Sequence, residues 1–248
     1  MAGTALQRRL SWQTATVVDT IYATPRAKTI TLDVPGWTGH RAGQHVDLRL
    51  TAPDGYQAQR SYSIASAPED TQLMLTVERL DDGEVSPYLV DELRVGDELE
   101  LRGPIGGYFV WDGALGDPLF LVAGGSGVVP LRSMLWHHRA MHSRAPVRLL
   151  SSARSLDLLI YREELMQFAT YDQFDVSVTL TRELPSGWHG YRGRLDQELL
   201  AEVAWPAADR PLTYICGPTG FVETASGGLV ALGHDPGRIR TERFGGAA

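Results

Sequence analysis

Near the middle of the chain the hydrophobic pattern changes period, and that change restricts the possible folds more than any other feature. Leu119-Phe120-Leu121-Val122-Ala123 runs without a polar break. Gly124-Gly125-Ser126-Gly127 follows, then a stretch with helical spacing through Leu131, Leu135 and His138. A strand apolar on both faces must be covered on both faces, as in a parallel sheet flanked by helices. Further strands fit Val147 to Ser151, Phe174 to Leu180 and Leu212 to Cys216, and helices fit Asp157 to Phe168, Asp196 to Val203 and Phe221 to Leu232. This alternation predicts a doubly wound parallel sheet, which takes ligands at the C-terminal ends of its strands. Those ends are Ala123-Gly124, Ser151-Ser152, Leu180-Thr181 and Cys216-Gly217.

The residues before this point read differently. Short strands fit Trp12 to Tyr22, Lys28 to Val34, Gln44 to Leu50, the stretch around Arg60, Leu73 to Leu80, and Asp97 to Leu101. Pro35-Gly36, Asp54-Gly55 and Asp81-Asp82-Gly83 punctuate them as turns, which predicts a small antiparallel barrel. The expected architecture is therefore two domains, β then α/β, divided as 1–113 and 114–248. After Gly83-Glu84-Val85, Ser86 is placed as an N-cap with Pro87 at the first helical position of a short helix over Tyr88 to Leu93. A helix start exposes N–H groups that suit a phosphate. Gly103-Pro104-Ile105-Gly106-Gly107-Tyr108-Phe109 reads as a glycine-rich turn allowing close backbone approach.

Arg60-Ser61-Tyr62-Ser63-Ile64-Ala65-Ser66 is the densest chemistry in the barrel half. On a strand Arg60, Tyr62 and Ile64 share one face, and Ser61, Ser63 and Ala65 the other. Beside a phosphorylated, flat cofactor this supplies a guanidinium for the phosphate, a ring to stack and a small hydroxyl.

The remaining composition mainly excludes. One cysteine, Cys216, rules out an internal disulfide and a cysteine-ligated iron–sulfur cluster in this chain. No histidine falls in a spaced metal motif, and His137-His138 reads as solvated helix surface. A net charge of −7 argues against general nucleic-acid binding. No apolar run approaches the ~20 residues of a membrane helix. Arg8 and Arg9 have no apolar core behind them, so no signal peptide and a cytoplasmic location are expected.

The motifs occur in a telling order: Arg60-Ser-Tyr-Ser63, Gly83-Glu-Val-Ser86, Gly103-Pro-Ile-Gly-Gly-Tyr-Phe109, Ala123-Gly-Gly-Ser-Gly-Val-Val-Pro130, Cys216-Gly-Pro218 and Glu242-Arg-Phe244. This set resembles the ferredoxin–NADP reductase superfamily, from about residue 12 to the end. The resemblance implies a flavin barrel followed by a pyridine-nucleotide domain. Arg60 would hold the flavin pyrophosphate, Tyr62 would stack on the isoalloxazine, and Ser61 and Ser63 would flank it, Ser63 near N5. Gly83, Val85 and Ser86 would supply the second phosphate contact, favouring FAD over FMN. Thr76, Val77 and Glu78 would border the ribityl and adenosine side. Gly125, Ser126, Gly127, Gly217 and Pro218 would line the nicotinamide approach. Cys216 would lie near its C4, with Glu242 close by as a proton-handling group. Phe244 takes the place of an aromatic that covers the flavin. In plastid-type members that aromatic ends the chain, whereas here Gly245 to Ala248 follow, in the direction of the adenine.

Charge argues for NADPH over NADH. A 2′-phosphate calls for cationic forks where a 2′-hydroxyl is usually read by an acid. Ser152, Arg154, Thr181, Arg182, Tyr191 and Arg194 resemble the family's NADP-reading positions. The expected function is an FAD-dependent NADPH reductase, monomeric, with a separate ferredoxin or flavodoxin as acceptor, serving an oxygenase. Arg26, Lys28 and Arg41 are the candidate docking face for an acidic partner. The rival expectations are a flavin or quinone reductase with a diffusible acceptor, and a flavin-binding electron-transfer subunit inactive alone.

Overall fold

The computed structural model describes residues 10–113 and 116–245. The N-terminal arginines, the expected domain division at 113/114 and the tail beyond Gly245 lie at or outside the limits of the described residues.

Six antiparallel strands form the first sheet: β1 (Gln13–Thr24), β2 (Ala27–Asp33), β3 (His45–Thr51), β4 (Gln57–Ser63), β5 (Leu73–Glu78) and β6 (Glu98–Ile105). Their order is β4-β3-β6-β1-β2-β5. A bridge between Ile64 and Leu75 joins the two edges and closes the barrel. Period-2 alternation drives Val17, Ile30, Leu32, Val46, Leu48, Leu75 and Leu101 into one buried cluster.

The second sheet contains β7 (Leu119–Gly124), β8 (Val147–Ala153), β9 (Phe174–Leu180), β10 (Tyr191–Arg192), β11 (Leu212–Pro218) and β12 (Ile239–Phe244). Every pairing is parallel, in the order β10-β9-β8-β7-β11-β12. The chain winds outward from β7 to β10, then crosses back to β11 and β12. The reversal lies between β7 and β11, and the crevice at such a reversal is where these sheets take ligands. The helices are α1 (Val128–Ala140), α2 (Arg162–Phe168), α3 (Gln197–Val203) and α4 (Thr219–Ala231). One sheet face packs under α1 and α2 together with Phe109 and Trp111, the other under α3 and α4.

Polar clamps fasten barrel to sheet. Ser133 Oγ donates to the Ser66 carbonyl at 2.7 Å and Arg132 Nη1 to the Ala65 carbonyl at 2.8 Å. The Tyr214 hydroxyl donates to the Val110 carbonyl at 2.6 Å. Tyr161, at φ 61°, sends its hydroxyl to Thr76.

That last contact explains one departure from expectation. The helix expected from Asp157 begins only at Arg162, after a single tight turn over Leu156–Leu158. Leu159, Ile160 and Tyr161 are consumed in the interface, and tertiary burial overrides helical propensity there. Ser86 is a second correction. It does not cap; the turn Tyr88–Glu92 has no side-chain cap, and Ser86 Oγ instead accepts from the Leu80 amide at 3.0 Å. Strand β6 runs through Gly103, Pro104 and Ile105, so the turn starts only at Gly106. His138 is buried, bonded to the Ala145 carbonyl and stacked on Trp111, and is not solvated surface. His137 pairs with Glu69.

Candidate functional site

A cavity of about 250 Å³ opens between β4, β5, the loop after β5, and the start of α1. Arg60, Ser61, Tyr62 and Ser63 form one wall, Thr76 and Glu78 a second, and Gly83, Glu84, Val85 and Ser86 a third. Ser126, Phe244 and Gly245 reach it from the other sheet.

Each wall has its own chemistry. Arg60 Nη2 donates to Glu84 Oε2 at 2.8 Å. Ser61 Oγ donates to Asp47 Oδ1 at 2.6 Å, and Arg102 holds the other oxygen of that carboxylate. Tyr62 packs on the barrel core, and burial pushes its phenol well above the usual range. The Thr76 hydroxyl is spent on Thr29 and Tyr161. Val77 is buried in the barrel core and, unlike its neighbours Thr76 and Glu78, does not line the cavity. A Cβ on Gly83 would meet Ser86 Oγ at 2.8 Å, so the loop folds tightly on itself.

The glycine turn after β7 is held against β11. A Cβ on Gly127 would stand 2.0 Å from the Cys216 carbonyl oxygen. Gly217 packs under the Phe221 ring, where a Cβ would come within 2.8 Å. Pro218 ends β11 and precedes α4. Gly125, at φ +56°, faces Glu78, where its Cβ would lie 3.5 Å from Oε2.

Three residues far apart in sequence converge at the seam. Ser63 Oγ donates to Glu242 Oε1 at 3.3 Å. Glu242 on β12 is the register partner of Cys216 on β11. Burial raises the Glu242 carboxyl to about 7, partly offset by the Ser63 bond. Burial, with the nearby Glu242 charge, pushes the Cys216 thiol far up, which disfavours the thiolate a nucleophile needs.

A second cavity, of about 530 Å³, lies against the same seam and shares Ser61, Ser63 and Phe244 with the first. His45, Tyr108 and Glu242 also line it. His45 pairs with Ser63 across β3 and β4, and burial lowers its imidazole pKa. Motif reasoning misses His45. The one signal for it is its place on the strand expected to neighbour Ser63.

At the other strand ends, Arg182 and Glu183 donate backbone N–H groups to the Arg154 carbonyl at 2.9 and 3.1 Å. Arg154, Arg182 and Arg194 are exposed and join no ion pair among the described residues. Ser152 is buried beside Thr179, and Thr181 Oγ1 donates to the Ala153 carbonyl at 3.3 Å. The Tyr191 hydroxyl donates to Glu202 Oε1 at 2.9 Å. The expected docking trio does not assemble. Lys28 is buried with its ammonium on the Leu93 carbonyl and the Tyr22 ring, Arg26 is paired with Asp81, and Arg41 alone stays exposed. Among the described residues no group of acidic, histidine or cysteine side chains could hold a metal, and no helix is long and apolar enough to cross a membrane.

Two family models match in tandem: an oxidoreductase FAD-binding domain over residues 16–110 and an oxidoreductase NAD-binding domain over residues 121–227. Ferredoxin–NADP reductase B of Sorangium cellulosum is 40% identical over 71% of this chain and 73% of its own length. The chain belongs to the ferredoxin–NADP reductase superfamily. The glycine betaine monooxygenase reductase subunit of Chromohalobacter salexigens is 34% identical, with 83% of this chain matching 56% of that protein. The chain thus spans little over half the length of that relative. The flavohem-like FAD/NAD binding domain of nitric oxide dioxygenase from Vibrio cholerae superposes with a TM-score of 0.84 at 26% identity, covering 94% of this chain and 99% of that one. A member of this superfamily uses FAD and NAD(P)H, and the residues present fit both. The first cavity offers a guanidinium, an aromatic wall and a glycine loop to a flavin diphosphate. The Gly127–Cys216 contact leaves no side chain between the turn and the seam.

Proposed function

We propose that the chain is an FAD-dependent NADPH reductase that delivers electrons singly to a separate ferredoxin or flavodoxin, itself serving an oxygenase. The observation that carries this reading is the convergence of Ser63, Glu242 and Cys216 where the barrel meets the wound sheet. When bound, the two cofactors supply the redox chemistry: two electrons accepted together and released one at a time. The chain's part is placement. Arg60, with the backbone of Gly83 to Ser86, is the reading's anchor for the FAD diphosphate, and Tyr62 and Phe244 flank the flavin ring. Thr76, Val77 and Glu78 border its ribityl and adenosine portion. Ser63 and Cys216, both small, permit near contact of two flat rings. Glu242, at about 7, accepts the Ser63 Oγ hydrogen bond and takes up or releases its own proton near neutral pH. Gly125, Ser126, Gly127, Gly217 and Pro218 form the approach for the nicotinamide.

The choice of NADPH rests on Arg154, Arg182 and Arg194, three exposed cations that join no ion pair among the described residues. As part of the same proposal, the chain divides into a flavin domain, 1–113, and a nucleotide domain, 114–248, and acts as a cytoplasmic monomer. The acceptor class is supported by the reductase-subunit and ferredoxin-reductase relatives. One observation favours a second reading. The cavity lined by His45 and Tyr108 reaches Ser63 and Glu242 and is large enough for a small quinone or free flavin.

Reconstitution with FAD followed by anaerobic NADPH tests both. Bleaching of the flavin and NADPH-driven reduction of cytochrome c that depends on added ferredoxin or flavodoxin are expected. Equal rates with free FMN or a quinone would transfer the assignment to the second reading, and failure to bleach would end both.

A further inference from the structure

Arg60 is the one cationic side chain on the wall of the first cavity among the described residues, whereas two carboxylates, Glu78 and Glu84, line it. A site for an anionic diphosphate is thus built with more negative than positive side chains. Glu84 is also not turned away. Its Oε2 accepts from Arg60 at 2.8 Å, and its Oε1 accepts from the Tyr56 hydroxyl at 3.0 Å. Two donors fix the carboxylate on the guanidinium. The loop that carries it is fixed as well: the Gly83 amide donates to the Leu80 carbonyl, and Ser86 Oγ accepts from the Leu80 amide.

We propose that Glu84 is a resident counter-anion to Arg60, one that weakens the cavity's hold on the FAD diphosphate and makes FAD an exchangeable cofactor. This rests on the reading of the first cavity as the flavin site. A diphosphate at Arg60 must displace the carboxylate or share the guanidinium with it. Displacement breaks an ion pair and a hydrogen bond to Tyr56. Sharing places like charges one guanidinium width apart. Both oppose binding, and both act on the phosphates rather than on the isoalloxazine. Arg60 and Glu84 are each about half exposed, at 51% and 52%, so the opposition is moderate and screened by salt. Glu84 acts through Arg60, as an affinity-setting residue.

Glu84→Gln separates charge from shape, because the amide oxygen still accepts from one donor and the side chain keeps its volume. The measurement is the dissociation constant of FAD, read by flavin fluorescence on the full chain, with riboflavin as the probe that carries no phosphate. At low salt Glu84→Gln is expected to bind FAD about three- to tenfold more tightly than wild type, with the gap closing near molar salt. Riboflavin affinity is expected to stay equal in the two proteins. Unchanged or weaker FAD binding by Glu84→Gln would overturn the proposal, as would an equal gain for riboflavin, which would mean a reshaped cavity. Arg60→Ala distinguishes the levels. If it weakens FAD while Glu84→Gln does not tighten it, this inference fails and the flavin site stands. If wild type and Arg60→Ala bind FAD alike, the flavin site fails with it.

Discussion

The cleft at Arg60 and the strand ends at Arg182 both present guanidinium to an anion, but in opposite states. Arg60 is already paired with Glu84 inside a walled cavity. Arg154, Arg182 and Arg194 stand exposed at the ends of β8, β9 and β10, with no carboxylate on them among the described residues. A ligand arriving at Arg60 competes with Glu84, whereas one arriving at the strand ends meets no ion pair on these arginines among the described residues. Shape compensates in the cleft: Tyr62, Thr76 and Val85 give it apolar and hydrogen-bonded walls. The strand ends have little but charge. On the proposed reading, one region encloses a flavin between walls and the other recognises a nucleotide on an open surface by charge.

The seam between the regions is the most sensitive point. Gly127→Ala drives a methyl into the Cys216 carbonyl, where the obstacle is backbone that cannot swing aside, and should cost about 3 kcal/mol or more of stability by denaturant unfolding. A near-neutral result would mean that turn and strand can separate, and that the two regions are less tightly joined than the structure has them. Next, Arg60→Ala should weaken FAD roughly 10- to 100-fold, since a charge-assisted contact is lost and Glu84 is left unpaired. Flavin content after gel filtration reads this directly.

Glu242 tests the seam by pH. Its carboxyl lies at about 7 in the folded protein against an ordinary 4.5. The folded state therefore binds the proton more tightly, so the stability linked to it is present at low pH and is lost as pH rises from about 4.5 through 7. Glu242→Gln should gain on wild type by about 3 kcal/mol between pH 4.5 and pH 8, measured by urea unfolding at each pH. A gap that narrows with pH would reverse the assignment of burial as the dominant cause. The smallest effect belongs to the open region. Arg182→Ala should raise the KM for NADPH about tenfold while leaving KM for NADH and flavin content unchanged. Equal changes for both nucleotides would erase the contrast between the regions.

Much of the architecture is legible in the amino-acid sequence. The apolar run over residues 119–123 and its glycine turn announce the parallel sheet, and the turn-punctuated strands announce the barrel. Other parts are hidden for definite reasons. Strand β12 reads Ile-Arg-Thr-Glu-Arg-Phe, an edge strand without an apolar run, and β10 is two residues long. Ser86 looks like a cap because sequence shows hydroxyl and proline spacing but not the competing Leu80 amide. Lys28 and Arg26 look like free surface cations because their partners, the Leu93 carbonyl and Asp81, are remote in sequence.

The order of hydrophobic periods and glycines determined the two architectures, because backbone conformation and burial pattern are local and periodic, and the ordered short motifs carried the resemblance to the family. Which charges remain free was settled only by the folded chain. Pairing of Arg60 with Glu84, of Ser63 with Glu242, and of Glu242 with Cys216 spans 24, 179 and 26 positions of sequence. An electrostatic partner at such separation is chosen by where loops close and strands register, and no local pattern encodes that.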